Sequence, residues 1–189
     1  NPSLFELANI DEGMTSIIWD IGDIEKLKKS IEKYQPEVIF HLAAQSLVRE
    51  SYKEPVETFS TNIMGTVNVF ESIRQIGKPC VMINVTSDKC YQNVNKINGY
   101  SEEQPMGGYD PYSSSKGCSE LITSAYRNSF FEISKYNQQK ISIASVRAGN
   151  VIGGGDWSKD RLVPDLMNSF LNNEKIKIRN PEAVRPWQF

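Results

Sequence analysis

The sequence predicts an α/β chain on a doubly wound parallel sheet with helices on both faces. Three observations predict it. Short β-branched or apolar runs alternate with amphipathic helical ones along the chain. The run at 37–44, EVIFHLAA, is apolar at almost every position, as a strand covered on both faces would be. Three runs end in polar or glycine-rich exits, HLAAQ, VTSDK and RAGNVIGGGDW, at the strand ends where a parallel sheet holds ligands.

Each element has its own reason. Residues 15–21, TSIIWDI, are short and β-branched and read as the first strand. Over 23–35 Ile24, Leu27, Ile31 and Tyr34 keep helical spacing, Lys26, Lys28, Lys29 and Lys33 form a solvated face, and Pro36 stops the helix. After the strand at 37–44, a long helix over about 53–76 carries Val56, Phe59, Ile63, Val67, Phe70 and Ile73 on one stripe, with Gly77 just past its end. Residues 80–86 form the next strand, and 92–108 a polar, Asn-containing loop ending in PMGG. Asp110 as N-cap and Pro111 at the first helical position open a second long helix, about 111–131. A strand at 141–147, a glycine-rich loop at 153–155, a helix near 162–172 and a short strand near 176–179 complete the pattern. No linker divides the chain. It reads as one domain over 1–189, with 150–189 beginning a substrate-binding part.

Composition narrows the class. With 39% hydrophobic and 23% charged residues, the 189-residue chain has the make-up of a soluble globular protein. A net charge of −2 gives no broad reason to expect nucleic acid or an anionic membrane, and no apolar run approaches the roughly 20 residues that span a bilayer. Cys80, Cys90 and Cys118 lack metal-ligand spacing and there is a single His, so neither a disulfide framework nor a metal site is expected, and a cytoplasmic location is. His41 ends an apolar run and reads as a packed core residue. Trp157 and Trp187 either stack on a base or fill the core. The chain starts at Asn1 without Met and stops in RPWQF, so it reads as an internal piece of a longer protein.

Two pairs of residues carry chemistry. Asp88 and Lys89 stand side by side where the 80–86 strand ends, as a solvated turn or as an acid/base pair. In GGYDPYSSSKG, Tyr112 falls in the first helical turn and Lys116 one turn later on the same face. A free Tyr has a pKa near 10, and a nearby ammonium favours the phenolate. Such a Tyr can take a proton from a sugar hydroxyl. The spacing alone is common: Tyr136 and Lys140 repeat it in a polar segment that reads as surface.

TSDK, YDPYSSSK and RAGNVIGGGDW together resemble the extended short-chain dehydrogenase/reductase family, and WDIGD, HLAAQSLV, EPVETFSTNIMGTVNV, DRLVPD and RPWQ extend the likeness over essentially the whole chain, in order. The resemblance implies a Rossmann-like fold and NAD as cofactor. The first strand-loop-helix, with its phosphate-cradling glycines, and most of the C-terminal substrate lobe are then expected outside these residues. The triple glycine at 153–155 follows the wrong strand to replace that loop and is expected to shape the sugar-nucleotide side.

By the same resemblance Asp20 and Ile21 contact the adenine side of NAD, Ala43 and Ala44 pass under its ribose and nicotinamide, and Arg147 lies close to it. Tyr112 and Lys116 serve both catalysis and cofactor, and Ser87 holds the sugar 4-hydroxyl. Asn62 makes a buried hydrogen bond or touches the cofactor. Asn150, Arg161, Leu162 and Arg185 face the substrate, with Arg185 on its pyrophosphate. Lys89 stands where related dehydratases carry Glu, and the Asp88–Lys89 pair resembles the members that act on CDP-glucose. The implied reaction is a nucleotide-sugar 4,6-dehydration. Another dehydratase, a 4-epimerase, or an inactive remnant or binding module are the alternatives. Family members dimerise through helices matching 53–76 and 111–131, which implies a homodimer or a dimer of dimers.

Overall fold

The computed structural model describes residues 3–94, 96 and 98–189; Asn95 and Ile97, in the expected loop, lie outside them. In chain order the elements begin with α1 (Leu4–Leu7), α2 (Ile24–Tyr34), β1 (Val38–His41), α3 (Val48–Lys53) and α4 (Pro55–Phe59). A π-helical turn (Ser60–Met64) leads into α5 (Gly65–Ile76), followed by β2 (Cys80–Ser87) and a 3-10 turn (Asp88–Cys90). Then come α6 (Pro111–Ser129), α7 (Tyr136–Gln139), β3 (Ile141–Ala148), β4 (Asn150–Val151), α8 (Leu162–Leu171) and β5 (Trp187–Gln188). The chain forms two compact units, one of Trp19–Ala148 and one of residues 1–18 with 149–189.

The Trp19–Ala148 unit is a three-stranded parallel sheet in the order β1-β2-β3. Register aligns His41 with Asn84 and Ser87 with Ala148, so the strand exits share one edge. Its core is a sandwich of Val69, Phe70 and Ile73 from α5 on Cys80, Met82, Ile141 and Ile143 of the sheet, with Leu27 and Ile31 of α2 and Ile122 and Tyr126 of α6 alongside. Helix α2 starts where Asp23 accepts the Lys26 N–H and ends at Gln35 in left-handed conformation. Helix α6 starts where Asp110 accepts both the N–H and the hydroxyl of Ser113.

Four sequence expectations change. Residues 15–20 form no strand: they make no ladder among the described residues, and Ile18 is 95% exposed. Extended backbone without a hydrogen-bonding neighbour is not a strand. The strand expected at 37–44 ends at His41 and is not covered on both faces, since Val38 and Phe40 are exposed. It is an edge strand among the described residues, and the described core packs on its other side. The helix expected at 53–76 is three segments. Pro55 restarts it after Glu54, and the π turn carries the backbone past Asn62 into α5. The strand expected near 176–179 is absent; Trp187–Gln188 pairs with Asn150–Val151 instead.

In the second unit α1 is closed by a capping box between Ser3 and Glu6. Gly155 adopts a φ of +72° and lies so close to Leu4 that an added Cβ would sit 2.5 Å from its backbone nitrogen. The glycine-rich loop thus serves a close backbone approach. Trp157 and Trp187 are both exposed and fill no core. No helix among the described residues is long and apolar enough to cross a membrane.

Candidate active site

Strand β2 delivers Ser87 to the sheet edge, and the chain turns at once into the 3-10 turn. The Ser87 hydroxyl stabilises that turn, accepting the Lys89 N–H at 3.2 Å and donating to Asp88 Oδ1 at 3.1 Å. Ser87 is buried, whereas the Asp88 and Lys89 side chains are 26% and 29% exposed and stand 3.8 Å apart. The two charges are neither free in solvent nor locked in a tight bridge. Gly107 N–H donates to the Cys90 carbonyl at 2.9 Å, and an added Cβ on Gly117 would meet that carbonyl at 3.3 Å. The turn that holds Asp88 and Lys89 therefore rests on α6, one residue past Lys116.

Tyr112 and Lys116 are both buried on α6. Lys116 Nζ donates to the Val85 carbonyl at 3.3 Å, which brings its ammonium to β2 two residues before Ser87. Burial pushes the Lys116 pKa down, and the Glu120 carboxylate one turn on opposes this. The Tyr112 backbone N–H is held by Ser51 Oγ at 3.2 Å, and the Tyr112 carbonyl accepts Ser115 Oγ at 2.7 Å. Asn62 spans these parts. Its amide donates to Ser115 Oγ (2.8 Å) and to the Gln45 carbonyl (3.0 Å), and its oxygen accepts the Gln45 N–H (2.8 Å). Asn62 thereby ties α6 to the loop that carries Ala43 and Ala44 out of β1. His41 sits deeper, its Nε2 3.1 Å from Thr66 Oγ1; burial, with Lys116 nearby, brings its pKa to about 4. It is a neutral packed residue, as expected.

The residues implied for the cofactor divide into two groups. Ala43 is exposed and Ala44 partly so, small surfaces at the exit of β1. Asp20 folds onto the Gly22 N–H at 2.7 Å, and Asn68 of α5 holds the carbonyls of Ile21 and Gly22 at 3.1 Å each. Arg147 is differently placed. Its guanidinium forks onto Glu120 (3.0 and 3.1 Å) and donates to Tyr91 Oη (2.9 Å) and the Glu102 carbonyl (3.1 Å). Its guanidinium thus forms an internal ion pair. Tyr136 and Lys140 stack at 5.2 Å on exposed residues, a surface feature as expected.

In the second unit β4–β5 pairing brings Asn150 opposite Trp187, two residues from Arg185, with Asn150 N–H donating to the Pro186 carbonyl at 2.9 Å. Arg185 is exposed. Arg161 stands just before α8, at its N-cap position, and pairs with Asp156 at 2.8 Å; Leu162, the first residue of α8, is exposed. Burial raises the Asp156 pKa, but the bonds from Ser158 and Arg161 outweigh it and hold the carboxyl below its usual range.

Sequence reasoning missed Glu120, which is buried and accepts Ser145 Oγ at 2.7 Å and Thr86 Oγ1 besides the two Arg147 bonds. Its signal was its place four residues after Lys116, on the same helical face. It also missed a buried chain of small polar groups: Thr66, Ser119, Asn84 and Thr123 hydrogen-bond one another between α5, β2 and α6.

Comparisons with known proteins give the family and the fold. Residues 4–189 match the family model described as GDP-mannose 4,6 dehydratase. The CDP-glucose 4,6-dehydratase of Salmonella typhimurium is 58% identical over 99% of this chain and 52% of its own length. The dTDP-D-glucose 4,6-dehydratase of Dictyostelium discoideum is 30% identical over 84% of this chain and 36% of its own. The chain thus spans about half or less of these relatives. Among solved structures, a dTDP-glucose 4,6-dehydratase from Streptomyces venezuelae with NAD and DAU bound superposes with a TM-score of 0.80 at 22% identity, over 96% of this chain and 53% of that one. The UDP-glucose 4-epimerase of Thermotoga maritima with UDP-glucose gives a TM-score of 0.80 at 22% identity, over 96% and 57%. Those two likenesses establish the Rossmann-like fold. With the family model matched from residue 4 to the last, the chain belongs to the GDP-mannose 4,6 dehydratase family, among the extended short-chain dehydrogenases/reductases that its motifs resemble.

Proposed function

We propose that the chain carries the catalytic residues of an NAD-dependent nucleotide-sugar 4,6-dehydratase, a hydro-lyase acting on CDP-glucose. One observation carries the reading: an Asp–Lys pair follows Ser87 directly, on a turn packed against the helix that holds Tyr112 and Lys116. The 58% identity to the Salmonella enzyme supports the substrate.

The donor set fits NAD. Ala43 offers a small exposed surface at the exit of β1. The buried Lys116 ammonium carries three N–H donors, of which the Val85 carbonyl takes one, leaving donors for ribose hydroxyls. Asp20, Ile21, Ala43, Ala44, Tyr112 and Lys116 would hold the cofactor. Bound there, NAD supplies the redox chemistry at C4 and C6.

The chain's own residues move protons. Tyr112 takes the proton of the sugar 4-hydroxyl, its phenolate favoured by Lys116. Ser87 holds the same hydroxyl. The 4-ketone acidifies the C5 hydrogen, which Lys89 removes while Asp88 protonates the departing 6-hydroxyl. The protons balance. An ion pair and a neutral amine beside a neutral acid hold the same number, so one proton passing from Lys89 to Asp88 arms both groups. Elimination then restores the ion pair. Asn150, Arg161, Leu162 and Arg185 are assigned to the substrate, with Arg185 on its pyrophosphate. A 4-epimerase has no use for the acid–base pair.

The protein that carries this chain, incubated with NAD and CDP-glucose, is expected to yield a 4-keto product lighter by one water, read by mass and alkaline absorbance. Water loss from dTDP-glucose, UDP-glucose or GDP-mannose instead overturns the substrate. No water loss from any of them, in folded protein, overturns the dehydratase reading. We assign the segments near 53–76 and 111–131 to a homodimer or dimer-of-dimers contact; the exposed Met64 and Leu121 support this, and light scattering tests it.

A further inference from the structure

We propose that the ion pair of buried Glu120 with Arg147 is a positioning device that sets the Asp88–Lys89 turn against the Tyr112–Lys116 helix. The inference rests on the dehydratase reading above and adds two residues to it.

The pair touches every part that the two half-sites must share. Glu120 lies on α6, one turn past Lys116, and is only 6% exposed. It accepts hydrogen bonds from Thr86, the residue before Ser87, from Ser145 on β3, and twice from Arg147. Arg147 carries the connection outward. Its guanidinium lies 4.9 Å from the centre of the Tyr91 ring while donating to the Tyr91 hydroxyl, and it donates to the Glu102 carbonyl. Tyr91 is the residue that closes the Asp88–Cys90 turn. It pairs with Met106 and stacks on Tyr100 at 5.3 Å, so Tyr91 and residues 100–106 are held together beside the same guanidinium. One carboxylate and one guanidinium thus join α6, the exit of β2, β3 and both ends of the turn's own loop.

The geometry has a chemical consequence. Oxidation at C4 uses Tyr112, Lys116 and Ser87, held on α6 and β2 whether or not the turn is well placed. Elimination needs Asp88 and Lys89 at the right distance from C5 and C6, and a misplacement of about 1 Å costs on the order of 100-fold in rate. The brace therefore acts on the second step. A planar, bidentate guanidinium is suited to this; an ammonium cannot stack on Tyr91 and fork onto Glu120 together.

The test uses the protein that carries this chain, with variants Glu120→Gln, Arg147→Lys and, as the mildest cut, Tyr91→Phe, which keeps the ring and removes only the acceptor. Two readouts are taken. Amide hydrogen exchange over 88–106 is expected to rise in all three without substrate, whatever the activity. With CDP-glucose and NAD, water loss is expected to fall at least 10-fold in Glu120→Gln and Arg147→Lys, and in Tyr91→Phe to fall while KM stays within about 3-fold and cofactor reduction at C4 is retained. Unchanged exchange in folded Tyr91→Phe and Arg147→Lys overturns the brace. So does an equal loss of oxidation and elimination, which marks a merely structural role. If the parent protein removes water from no nucleotide sugar, the dehydratase reading fails, and the exchange data still judge the brace.

Discussion

Asp88 and Lys89 differ from surface neighbours of opposite charge in having Ser87 and the α6 contact beside them. Asp88→Asn and Lys89→Met are each expected to lower water loss by about 100-fold or more, in the range of a lost general acid or base, while oxidation at C4 persists. Tyr112→Phe is expected to stop both steps. Stopped-flow absorbance of the cofactor, beside product mass, separates the two patterns. His41 supplies a different residue-scale prediction. Its pKa falls from 6.5 unfolded to about 4 folded, mainly through burial. The unfolded chain binds the proton more readily, so stability is fully present above pH 6.5 and declines as pH falls toward 4. The loss amounts to up to about 3 kcal/mol. The carboxylates held low, among them Glu71 and Glu120, give up their stability only below their usual range near pH 4.5. Between pH 6.5 and 4.5 the slope therefore belongs to His41. Thermal midpoints taken across that window are expected to fall in the parent and stay level in His41→Gln.

At the scale of elements, the glycines before and within α6 decide how closely the loop and turn approach it. An added Cβ on Gly108 would lie 2.0 Å from the backbone of Ser113, inside the first turn of α6. No rotamer relieves a clash with backbone, so Gly108→Ala is expected to cost about 3 kcal/mol, read as a lower denaturation midpoint with unchanged m-value. Gly65 follows the π turn, and an added Cβ there would press on the Ile21 side chain at 2.8 Å. The interruption of the long helix has a related cause: the π turn lets Asn62 meet Gln45 and Ser115 together, and such turns recur at functional sites.

Over the whole molecule, burial is one-sided in the Trp19–Ala148 sheet. Met82 and Phe70 are fully buried, whereas Val38, Phe40, Val81 and Val146 on the opposite face are exposed. Met82→Ala is expected to destabilise this 189-residue chain by about 2–5 kcal/mol, and Phe40→Ser by less than about 1 kcal/mol, because little of its side chain leaves water on folding. Urea unfolding of the two variants checks the asymmetry. A large loss from Phe40→Ser would mean that this face is covered in solution.

The sequence by itself determined what depends on neighbours in the chain. The Asp110 cap of α6, the parallel sense of the sheet, and the one-turn spacing of Tyr112 and Lys116 follow from local chemistry and hydrophobic period, and all were legible. So was the TSDK turn, since Ser87, Asp88 and Lys89 are consecutive. Whether an apolar run becomes a strand was decided elsewhere. Residues 15–20 and 37–41 look alike in sequence, yet only the second finds a ladder partner, in β2. The ion pair and hydrogen bonds of Arg147 were equally hidden, because Glu120, Tyr91 and Glu102 lie 27, 56 and 45 residues away along the chain. Tertiary structure alone decided which strands pair, which face is buried and which charge meets which. Hydrogen bonds and ion pairs between distant segments exist only once the packing of apolar side chains has brought those segments together.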